Sequence, residues 1–397
     1  MSDPSFGNFG FFGDILKMLG QQGPDAWKET SRQLAANVIH SATGDTNPDP
    51  ALRQRFETIA FSFGPDLKDG MRRRLEAAFG DYRHVAALSD PEIAAAARDA
   101  GIDIAIDLKG FTHGSRPGIF AARAAPVQAA HIGYPGTMGA PYIDYILADP
   151  TVLPEADIGH YAEKIVWLPD TYQPNDRSRA IATDTPSRSE AGLPERGFVF
   201  CCFNAVHKIL PETFAAWMEI LHAVAGSVLW LLDANPVASA NLRRAAEAAG
   251  IHPTRLVFAP KMPLDRHLAR HRLADLGLDT LPYNAHTTTS DALWVGLPVL
   301  TQLGRSFPAR VAASLLRAVG MPEMVVESRA DYIARAVQFA RDPTLLAEAR
   351  QKMDRQRLTA PLFDTPRFVR HIEAAYIEMH ERRLAGLPPA HIRVPPI

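Results

Sequence analysis

The sequence predicts an α/β protein with two doubly wound, Rossmann-like domains that face a cleft. Strand-like and helix-like segments alternate along both halves of the chain, and the polar stretch Ser178–Gly197 separates the halves. With 397 residues the chain is long enough for two hydrophobic cores. Strands that alternate with helices in this way form parallel sheets covered by helices on both faces.

Composition and charge are those of a soluble globular protein. Hydrophobic residues make up 47%, charged residues 22%, and the net charge is −2. This balance predicts no general affinity for nucleic acid or membrane surfaces, so an anionic ligand requires a local site. Met1–Gly20 lacks a signal-peptide pattern, and no apolar stretch reaches the ~18 residues that span a bilayer. Because the adjacent Cys201 and Cys202 cannot build a disulfide framework, we expect a cytoplasmic protein.

The first half begins with a segment of different character. Residues 1–50 predict an appendage with a Gly/Phe-rich start, one helix around Ala26–Ile39 and the polar tail Ser41–Pro50. Residues 51–185 predict the first domain. Its expected elements are the strands Phe56–Phe63, Ile102–Leu108, Val127–Ile132 and Tyr145–Ala148, and the helices Met71–Phe79 and Pro91–Ala100.

The second half repeats the strand–helix alternation over residues 186–397. Its expected strands are Phe198–Phe203, Val228–Leu232, Arg255–Phe258, Leu276–Asp279, Val299–Thr301 and Met324–Val326. Its expected helices are Pro211–Val224, Val237–Ala249, Leu264–Arg272, Ser290–Val295, Arg310–Val319 and Ala330–Arg341. A closing amphipathic helix, Thr365–Leu384, is assigned to this domain, with Phe368, Ile372, Tyr376 and Met379 on one face.

A polar turn follows the predicted strand Leu276–Asp279. It carries His286, Thr287 and Thr288 just before a predicted helix. Ligands of open α/β sheets bind beyond the carboxyl ends of strands, where helix N-termini attract phosphate. The alternative is helix capping, for which Thr288-x-x-Asp291 fits a capping box. This stretch alone leaves both interpretations open.

Two other predicted strand ends carry basic side chains. Lys208 follows strand Phe198–Phe203 at a helix start, where a cation opposes the helix dipole unless it faces an anion. His267, Arg270 and His271 follow strand Arg255–Phe258 at a spacing that places them on one side of a helix. Alternatives for this group are an exposed basic face or a zinc pair of histidines. Because no third ligand accompanies the pair, we predict no metal.

Asp291 adds a carboxylate to this phosphate-binding pattern. It would repel phosphate unless it accepts hydrogen bonds from hydroxyl groups, and a ribose diol suits that role. The strand ends together therefore predict a nucleoside diphosphate derivative as ligand.

Longer motifs resemble those of the protein O-GlcNAc transferase family, in its bacterial-type catalytic region. In the second half these are L-A-D-L-G-L-D-T, H-T-T-T-S-D-A-L-W-V-G-L-P, F-N-A-V-H-K-I, S-V-L-W-L-L and R-V-A-A-S-L-L. In the first half they are D-L-K-G-F-T-H-G-S-R-P and A-P-V-Q-A-A-H-I-G-Y-P-G-T-M-G-A. The resemblance covers about residues 51–384. It implies a GT-B glycosyltransferase that moves N-acetylglucosamine from UDP-GlcNAc to Ser/Thr hydroxyl groups of proteins with inversion, without a metal cofactor.

The resemblance also implies roles for matching positions, with residues 51–185 on the acceptor side and 186–397 on the UDP-sugar side. Lys208 matches the catalytic lysine that neutralises the diphosphate. The other nucleotide-sugar-binding positions are His267 against the uracil with Arg270 beside it, His286, Thr287 and Thr288 at the phosphates, Asp291 at the ribose, and Gly133, Tyr134 and Pro135 near the sugar.

Two features of that family are not found in Met1–Pro50. One is the motif S-x-D-F-x-x-H that opens its first domain, and the other is the superhelical TPR array that recruits protein substrates. The first βα unit is therefore expected to be lost or replaced. Two alternatives follow, a UDP-sugar-binding homologue without catalysis and a GT-B transferase with a non-protein acceptor. His113 and His131 are the first-half histidines considered as general base, and neither is preferred.

Overall fold

A computed structural model of the chain describes residues 35–36, 56–66, 68–233 and 235–397. The appendage predicted for residues 1–50, with its helix around Ala26–Ile39, lies outside the described residues except at Ala35–Ala36, which form a strand. The chain divides into two compact units. The first comprises the described residues up to Asp176 together with Asp364–Ile397, and the second is Arg177–Phe363.

The first unit is built on an eight-stranded parallel sheet with the order β14-β7-β6-β5-β4-β1-β2-β3. Its strands are β1 Ala35–Ala36, β2 Glu57–Ser62, β3 Asp81–His84, β4 Ile104–Asp107, β5 Val127–Ala130, β6 Tyr145–Ala148, β7 Lys164–Trp167 and β14 Ile392–Arg393. The order reverses between β1 and β4, as in doubly wound folds. Ala35–Ala36 thus lies inside the sheet, although the sequence predicts an appendage there. Two residues are too few to show a strand period.

The second unit holds a six-stranded parallel sheet with the order β10-β9-β8-β11-β12-β13. Its strands are β8 Val199–Cys202, β9 Val228–Leu232, β10 Leu256–Ala259, β11 Leu276–Leu278, β12 Val299–Gln302 and β13 Val325–Val326. In order along the chain this is the 3-2-1-4-5-6 arrangement of Rossmann folds, with its reversal between β8 and β11. The predicted parallel α/β class is confirmed in both units.

The helices follow the predicted alternation in most places. In the first unit they are α1 Gly70–Glu76, α2 Asp90–Asp99, α3 Gly118–Ala121 and α11 Thr365–Leu384. In the second unit they are α4 Pro211–Ala223, α5 Pro236–Ala248, α6 Leu264–Arg270, α7 Thr287–Trp294, α8 Val311–Ala318, α9 Arg329–Arg341 and α10 Pro343–Gln356. The sequence does not predict β3, β7, β14, α3 or α10. Helix α10 buries only Ala349 and Met353, so its sequence shows little of the apolar periodicity from which a helix is predicted.

Helix boundaries follow local chemistry. Helix α2 begins after Ser89, whose backbone N–H donates to the Glu92 carboxylate at 2.7 Å. After the helix ends, Gly101 has a φ of +70°, a left-handed backbone conformation that favours glycine. Helix α11 begins after Asp364, whose Oδ1 accepts the backbone N–H of Arg367 at 3.0 Å.

The closing helix α11 packs with the first unit. Its predicted apolar face, Phe368, Ile372, Tyr376 and Met379, is buried. The face joins the core made by strands β4 to β7 and β14. The sequence assigns α11 to the C-terminal domain, so the observed placement differs from the prediction. Its pattern defines an apolar face but does not define which of two apolar sheets that face covers.

Two further sequence expectations concern cysteines and membrane helices. Cys201 and Cys202 are free and buried in β8, as their adjacency predicts. None of the helices in the described residues combines the length and apolar character that crossing a membrane requires.

We predict that Ile372→Ala destabilises the protein by about 2–5 kcal/mol, because it opens a cavity in the core under α11. Ile372 is 1% exposed, whereas Leu384 at the end of the same helix is 67% exposed. Leu384→Ala is therefore the matched control, with an expected change within about 0.5 kcal/mol. Urea unfolding followed by circular dichroism measures both, and equal midpoints for the two variants would contradict the packing of α11.

Candidate functional site

The candidate site lies at the carboxyl edge of the second sheet, where β8 and β11 are neighbours. This is the point at which the strand order reverses, and ligands of open α/β sheets bind there. The loop after β8 leads through Asn204 to the short 3₁₀ turn Val206–Lys208. The loop after β11 runs from Asp279 to α7. Asn204 Nδ2 donates to Thr280 Oγ1 at 2.8 Å, so the two loops are joined side by side.

Lys208 reaches from the first loop onto the second. Its Nζ donates to the carbonyl oxygen of Asn284 at 2.9 Å and lies 4.2 Å from the ring centroid of Tyr283. Burial lowers the Lys208 pKa to about 8, and the Asp279 carboxylate opposes that shift. The structure therefore places the predicted lysine against the turn that precedes the threonines. Because its pKa lies only about one unit above neutral pH, the Lys208 side chain is mostly an ammonium at pH 7.

Asp279 connects the strands around this turn. Its Oδ1 accepts the backbone N–H of Thr280 at 2.7 Å and of Ala285 at 2.6 Å. Its Oδ2 accepts the Thr301 hydroxyl at 2.6 Å. Burial raises the Asp279 pKa to about 6, although these hydrogen bonds and the Lys208 charge lower it in part. From the sequence, Asp279 is predicted only as the last residue of a strand. The available signal was an acidic residue directly after a buried apolar run.

Helix α7 begins earlier than predicted, at Thr287. Its N-cap is His286, whose side chain makes no capping hydrogen bond. The His286 Nε2 instead lies 3.3 Å from Pro308 O, and the ring stacks on Tyr283 at 4.9 Å. The Thr288–Asp291 capping box is wrong, because Thr288 lies inside the helix. The first-turn N–H groups of a helix have no acceptor within it, so this end can face an anion.

His286 is neutral in this setting. Burial, together with the Lys208 charge, lowers its pKa to about 3. Because Nε2 faces the Pro308 carbonyl, Nε2 carries the proton and Nδ1 is the acceptor. His286 therefore offers a neutral ring beside the ammonium rather than a second positive charge.

A small cavity of about 20 Å³ lies beneath the turn, enough for one water molecule. Its polar lining comes from the ends of β8 and β11, from His271 after α6 and from α7, as Asn204, Asp279, His271, Thr288 and Thr289. Within the described residues, Asn204 Oδ1 and Thr289 Oγ1 are buried without a hydrogen-bond partner. Side chains that follow three strand ends thus meet around one space.

His267 and Arg270 lie on the same side of α6 but at different depths from the surface. Arg270 is 1% exposed, and its Nη1 donates to Pro260 O at 2.6 Å. Its Nη2 lies 2.5 Å from His267 Nδ1, and its guanidinium stacks 4.5 Å from the Phe203 ring centroid. The residue predicted to bind ligand beside His267 therefore lies beneath it and orients its ring. Helical spacing predicts a shared side but not the depth of each side chain.

In the structure, the two histidines of the zinc alternative, His267 and His271, are neutral and engaged with protein groups. Burial lowers the pKa of His267 to about 2 and of His271 to about 4. His271 Nδ1 lies 2.7 Å from the His267 carbonyl oxygen and is engaged with the backbone. In the part of the chain that the structure describes, no group of three or more His, Cys, Asp or Glu side chains is arranged to hold a metal ion.

Asp291, the predicted ribose carboxylate, is paired with Arg179. Arg179 Nη1 donates to Asp291 Oδ1, and Nη2 lies 3.4 Å from Ser290 Oγ. The guanidinium also lies 6.0 Å from the Trp294 ring centroid. Burial raises the Asp291 pKa, and Arg179 opposes the shift. Arg179 falls in the stretch predicted as a domain boundary, so sequence reasoning missed it. Its only signal was a basic residue in a polar segment.

In the first unit, Gly133, Tyr134 and Pro135 form a loop beyond β5. A Cβ on Gly133 would lie 2.1 Å from the Leu108 carbonyl oxygen. Gly110 has φ of +53°, and its Cβ would lie 2.4 Å from Tyr134 Cβ. These two glycines therefore allow the loops after β4 and β5 to touch. Their close approach sets the position of the Tyr134 side chain.

Other side chains hold the same loop. Glu163 is 2% exposed, and its carboxylate accepts the Thr137 hydroxyl at 2.6 Å and the Met138 N–H at 2.5 Å. His131 is buried with Nε2 2.9 Å from Tyr172 O, and burial lowers its pKa to about 4. His131 is thus a core residue with its Nε2 engaged, whereas His113 is exposed.

The chain is similar in sequence to known glycosyltransferases. The sequence model of glycosyl transferase family 41 matches residues 41–184 and 178–372. The chain is 36% identical over 348 residues to the probable UDP-N-acetylglucosamine–peptide N-acetylglucosaminyltransferase SEC of Arabidopsis thaliana, covering 86% of this chain and 36% of that protein. It is 26% identical over 458 residues to the UDP-N-acetylglucosamine–peptide N-acetylglucosaminyltransferase of Caenorhabditis elegans, covering 86% of this chain and 40% of that protein. The chain thus spans well under half the length of these relatives.

Solved structures match in fold. A mutant of the Thermobaculum terrenum O-GlcNAc transferase aligns with a TM-score of 0.77 and 33% identity, over 84% of this chain and 63% of that one. Sucrose-phosphate synthase from Thermosynechococcus elongatus aligns with a TM-score of 0.52 and 13% identity, over 83% of this chain and 90% of that one, and shows the fold alone. With the two parallel α/β units, these matches show the predicted GT-B fold.

We predict that Arg179→Met destabilises the protein by about 3–5 kcal/mol at pH 8, because it leaves the Asp291 carboxylate buried and unpaired. The Asp291 pKa is already raised, so the neutral form is the one that burial favours. The loss should therefore shrink as the pH falls toward the ordinary carboxyl range near about 4. Denaturant unfolding at several pH values measures it.

The double variant Arg179→Met, Asp291→Asn is the control for that measurement. It removes both charges, so it should show little of the pH dependence of the single variant. If the single variant lost the same stability at pH 8 and pH 5, the ion pair would not account for the burial of Asp291.

Proposed function

The chain belongs to glycosyl transferase family 41, and on that premise we propose that it transfers N-acetylglucosamine from UDP-GlcNAc to Ser and Thr hydroxyl groups of proteins. The curated relatives are named for this transfer to peptides, and they extend well beyond the region matched here. The observation that carries the proposal is the contact of Lys208 Nζ with the turn that opens α7.

The reaction breaks the bond between the sugar's anomeric carbon and the diphosphate, and the departing UDP gains negative charge. In the proposed site Lys208 and the free N–H groups at the start of α7 face that diphosphate. Groups aimed at charge that develops in the transition state each contribute on the order of 10²–10³ in rate. Because both are fixed by the fold before substrate arrives, little reorganisation accompanies the reaction.

The remaining second-unit residues recognise the nucleotide in this proposal. His267, oriented by Arg270 from beneath, lies against the uracil ring. Thr287 and Thr288, both partly exposed, donate hydroxyl hydrogen bonds to phosphate oxygens. Asp291, whose Oδ1 is bonded by Arg179, accepts hydrogen bonds from ribose hydroxyls. A buried carboxylate that is already charge-paired can do this without repelling the neighbouring phosphates.

The loop of Gly133, Tyr134 and Pro135 is proposed to lie near the sugar, as the family resemblance implies. Its support in the structure is the fixed geometry that Gly110, Gly133 and Glu163 impose within the first unit. A side chain held this closely can select a ligand group by shape.

We predict that Lys208→Ala lowers the rate of sugar transfer by at least about 100-fold while the fold is retained, because the departing diphosphate loses its nearest cation. Transfer from UDP-GlcNAc is measured as intact-mass shifts on candidate protein acceptors, and UDP affinity by calorimetry. Lys352→Ala is the matched control, since Lys352 pairs with Glu323 at 2.7 Å on the surface. Wild-type turnover by Lys208→Ala would refute its role, and UDP binding by the wild-type chain without transfer would indicate a binding homologue.

We also predict that kcat/KM of the wild-type chain falls as the pH rises through about 8. The Lys208 pKa is lowered to about 8, and the protonated form is the one that stabilises the leaving group. The ammonium is therefore present below that pH and lost above it. A rate that stays constant to pH 9.5 would show that Lys208 keeps its proton or does not take part.

A further inference from the structure

We propose that Asp279 is a positioning residue of this site, whose carboxylate shapes the loop under Lys208 and keeps the lysine an ammonium. For its activity readout the inference rests on the proposed function, but its structural readout does not. No ligand contact is assigned to Asp279, because its side chain is 4% exposed and is enclosed by protein groups.

One carboxylate oxygen sets the shape of the loop. Asp279 Oδ1 accepts N–H groups from both ends of the turn, Thr280 at 2.7 Å and Ala285 at 2.6 Å. The turn between them is closed by Thr280, whose Oγ1 donates to Tyr283 O at 2.7 Å and whose carbonyl accepts Asn284 Nδ2 at 2.8 Å. Tyr283 and Asn284 both contact the Lys208 ammonium. The Asp279 carboxylate, together with Thr280, therefore fixes the part of the turn that Lys208 contacts.

The other oxygen anchors Asp279 to neighbouring elements. Oδ2 accepts the hydroxyl of Thr301, which lies in β12, at 2.6 Å. The Asp279 backbone carbonyl accepts the hydroxyl of Tyr332 from α9 at 2.9 Å, and Trp217 Nε1 in α4 lies 3.1 Å from that hydroxyl. Strand, loop and two helices thus hold the carboxylate in place before any ligand binds.

Besides the Asn284 carbonyl and the Tyr283 ring, a negative charge stabilises the Lys208 ammonium. The described titratable groups that act on Lys208 or Asp279 are Cys202, Tyr332 and His286, besides each other. Burial raises the Cys202 pKa to about 12 and the Tyr332 pKa well above its ordinary value, so both are uncharged near neutral pH. His286 and the nearby His271 are neutral because burial lowers their pKa values. Asp279 is therefore the negative charge that offsets the burial of Lys208.

The substitution Asp279→Asn separates charge from shape. An asparagine Oδ1 can still accept both backbone N–H groups, and its Nδ2 can donate to the Thr301 hydroxyl oxygen. Loss of the negative charge should lower the Lys208 pKa below its present value of about 8. The amine then loses its proton near neutral pH and regains it as the pH falls. Recovery of function in acid is a signature that a loss of shape would not give.

The direct test follows the ¹³Cε signal of Lys208 by NMR in protein labelled at lysine. The signal is assigned by its loss in Lys208→Arg. In Asp279→Asn we expect its titration midpoint at least one unit below that of the wild type, a tenfold change in proton affinity. Asp233→Asn is the matched control, because Asp233 also follows a strand at this sheet edge but bonds Ser239 Oγ at 2.7 Å. Equal midpoints in Asp279→Asn and wild type would overturn the proposal.

The activity test measures kcat/KM against pH for the same variants. At pH 7.5 we expect Asp279→Asn to be at least about threefold slower than wild type, because a midpoint one unit lower leaves about a third as much Lys208 protonated, and the difference should narrow as the pH approaches 6. A deficit that is the same at every pH would mean that Asp279 serves shape alone, and would overturn its charge role. If the NMR midpoint shifts as expected but the wild-type chain neither binds UDP nor transfers sugar, the proposed function fails and the coupling of Asp279 to Lys208 stands.

A wild-type measurement covers the case in which Asp279→Asn does not fold. The Asp279 pKa is raised to about 6, so its protonation should produce a second, smaller inflection in the Lys208 signal near that pH. Its absence would show that the two groups are not coupled.

Discussion

The second unit depends on the reversal of strand order between β8 and β11. Two parallel strands whose connections run to opposite sides leave a gap between the loops at their carboxyl ends. In this protein the gap is closed from within by hydrogen bonds among Asn204, Thr280 and Asp279, while Lys208 crosses from one loop to the other. These hydrogen bonds hold the two loops together, and in the proposed site the turn they form binds the diphosphate.

Burial of opposite charges in pairs is the second feature of the site. The Lys208 ammonium interacts electrostatically with the Asp279 carboxylate, and Arg179 is hydrogen-bonded to Asp291. A single buried charge is strongly unfavourable, whereas a pair with satisfied hydrogen bonds persists in a low-dielectric setting. In both pairs burial shifts the carboxyl pKa upward, and the basic partner holds it in check. Each carboxylate is therefore offset by a basic side chain within the second unit. In the proposed site, the N-terminus of α7 and the Lys208 ammonium face the diphosphate.

Much of the fold could be predicted from periodicity, and so could the types of residue at the strand ends. The predicted strand Val228–Leu232 matches β9, and Thr365–Leu384 matches α11, because each has a strong apolar pattern between clear breakers. The depth at which each side chain is buried could not be predicted. His267 and Arg270 share one side of a short helix, yet Arg270 lies in the core under Phe203. The helix start at Thr287 was also missed, since threonine favours a cap as readily as a first turn.

The sequence by itself determined the α/β alternation, the loops that carry Lys208 and His286–Asp291, and the family these motifs resemble. These are properties of the local sequence pattern, which can be read without knowing which element each segment packs against. The tertiary structure alone decided that α11 covers the first sheet, that Arg179 pairs with Asp291, and that Asp279 underlies Lys208. Those facts join residues up to hundreds of positions apart, and only the folded chain brings such residues within hydrogen-bonding distance.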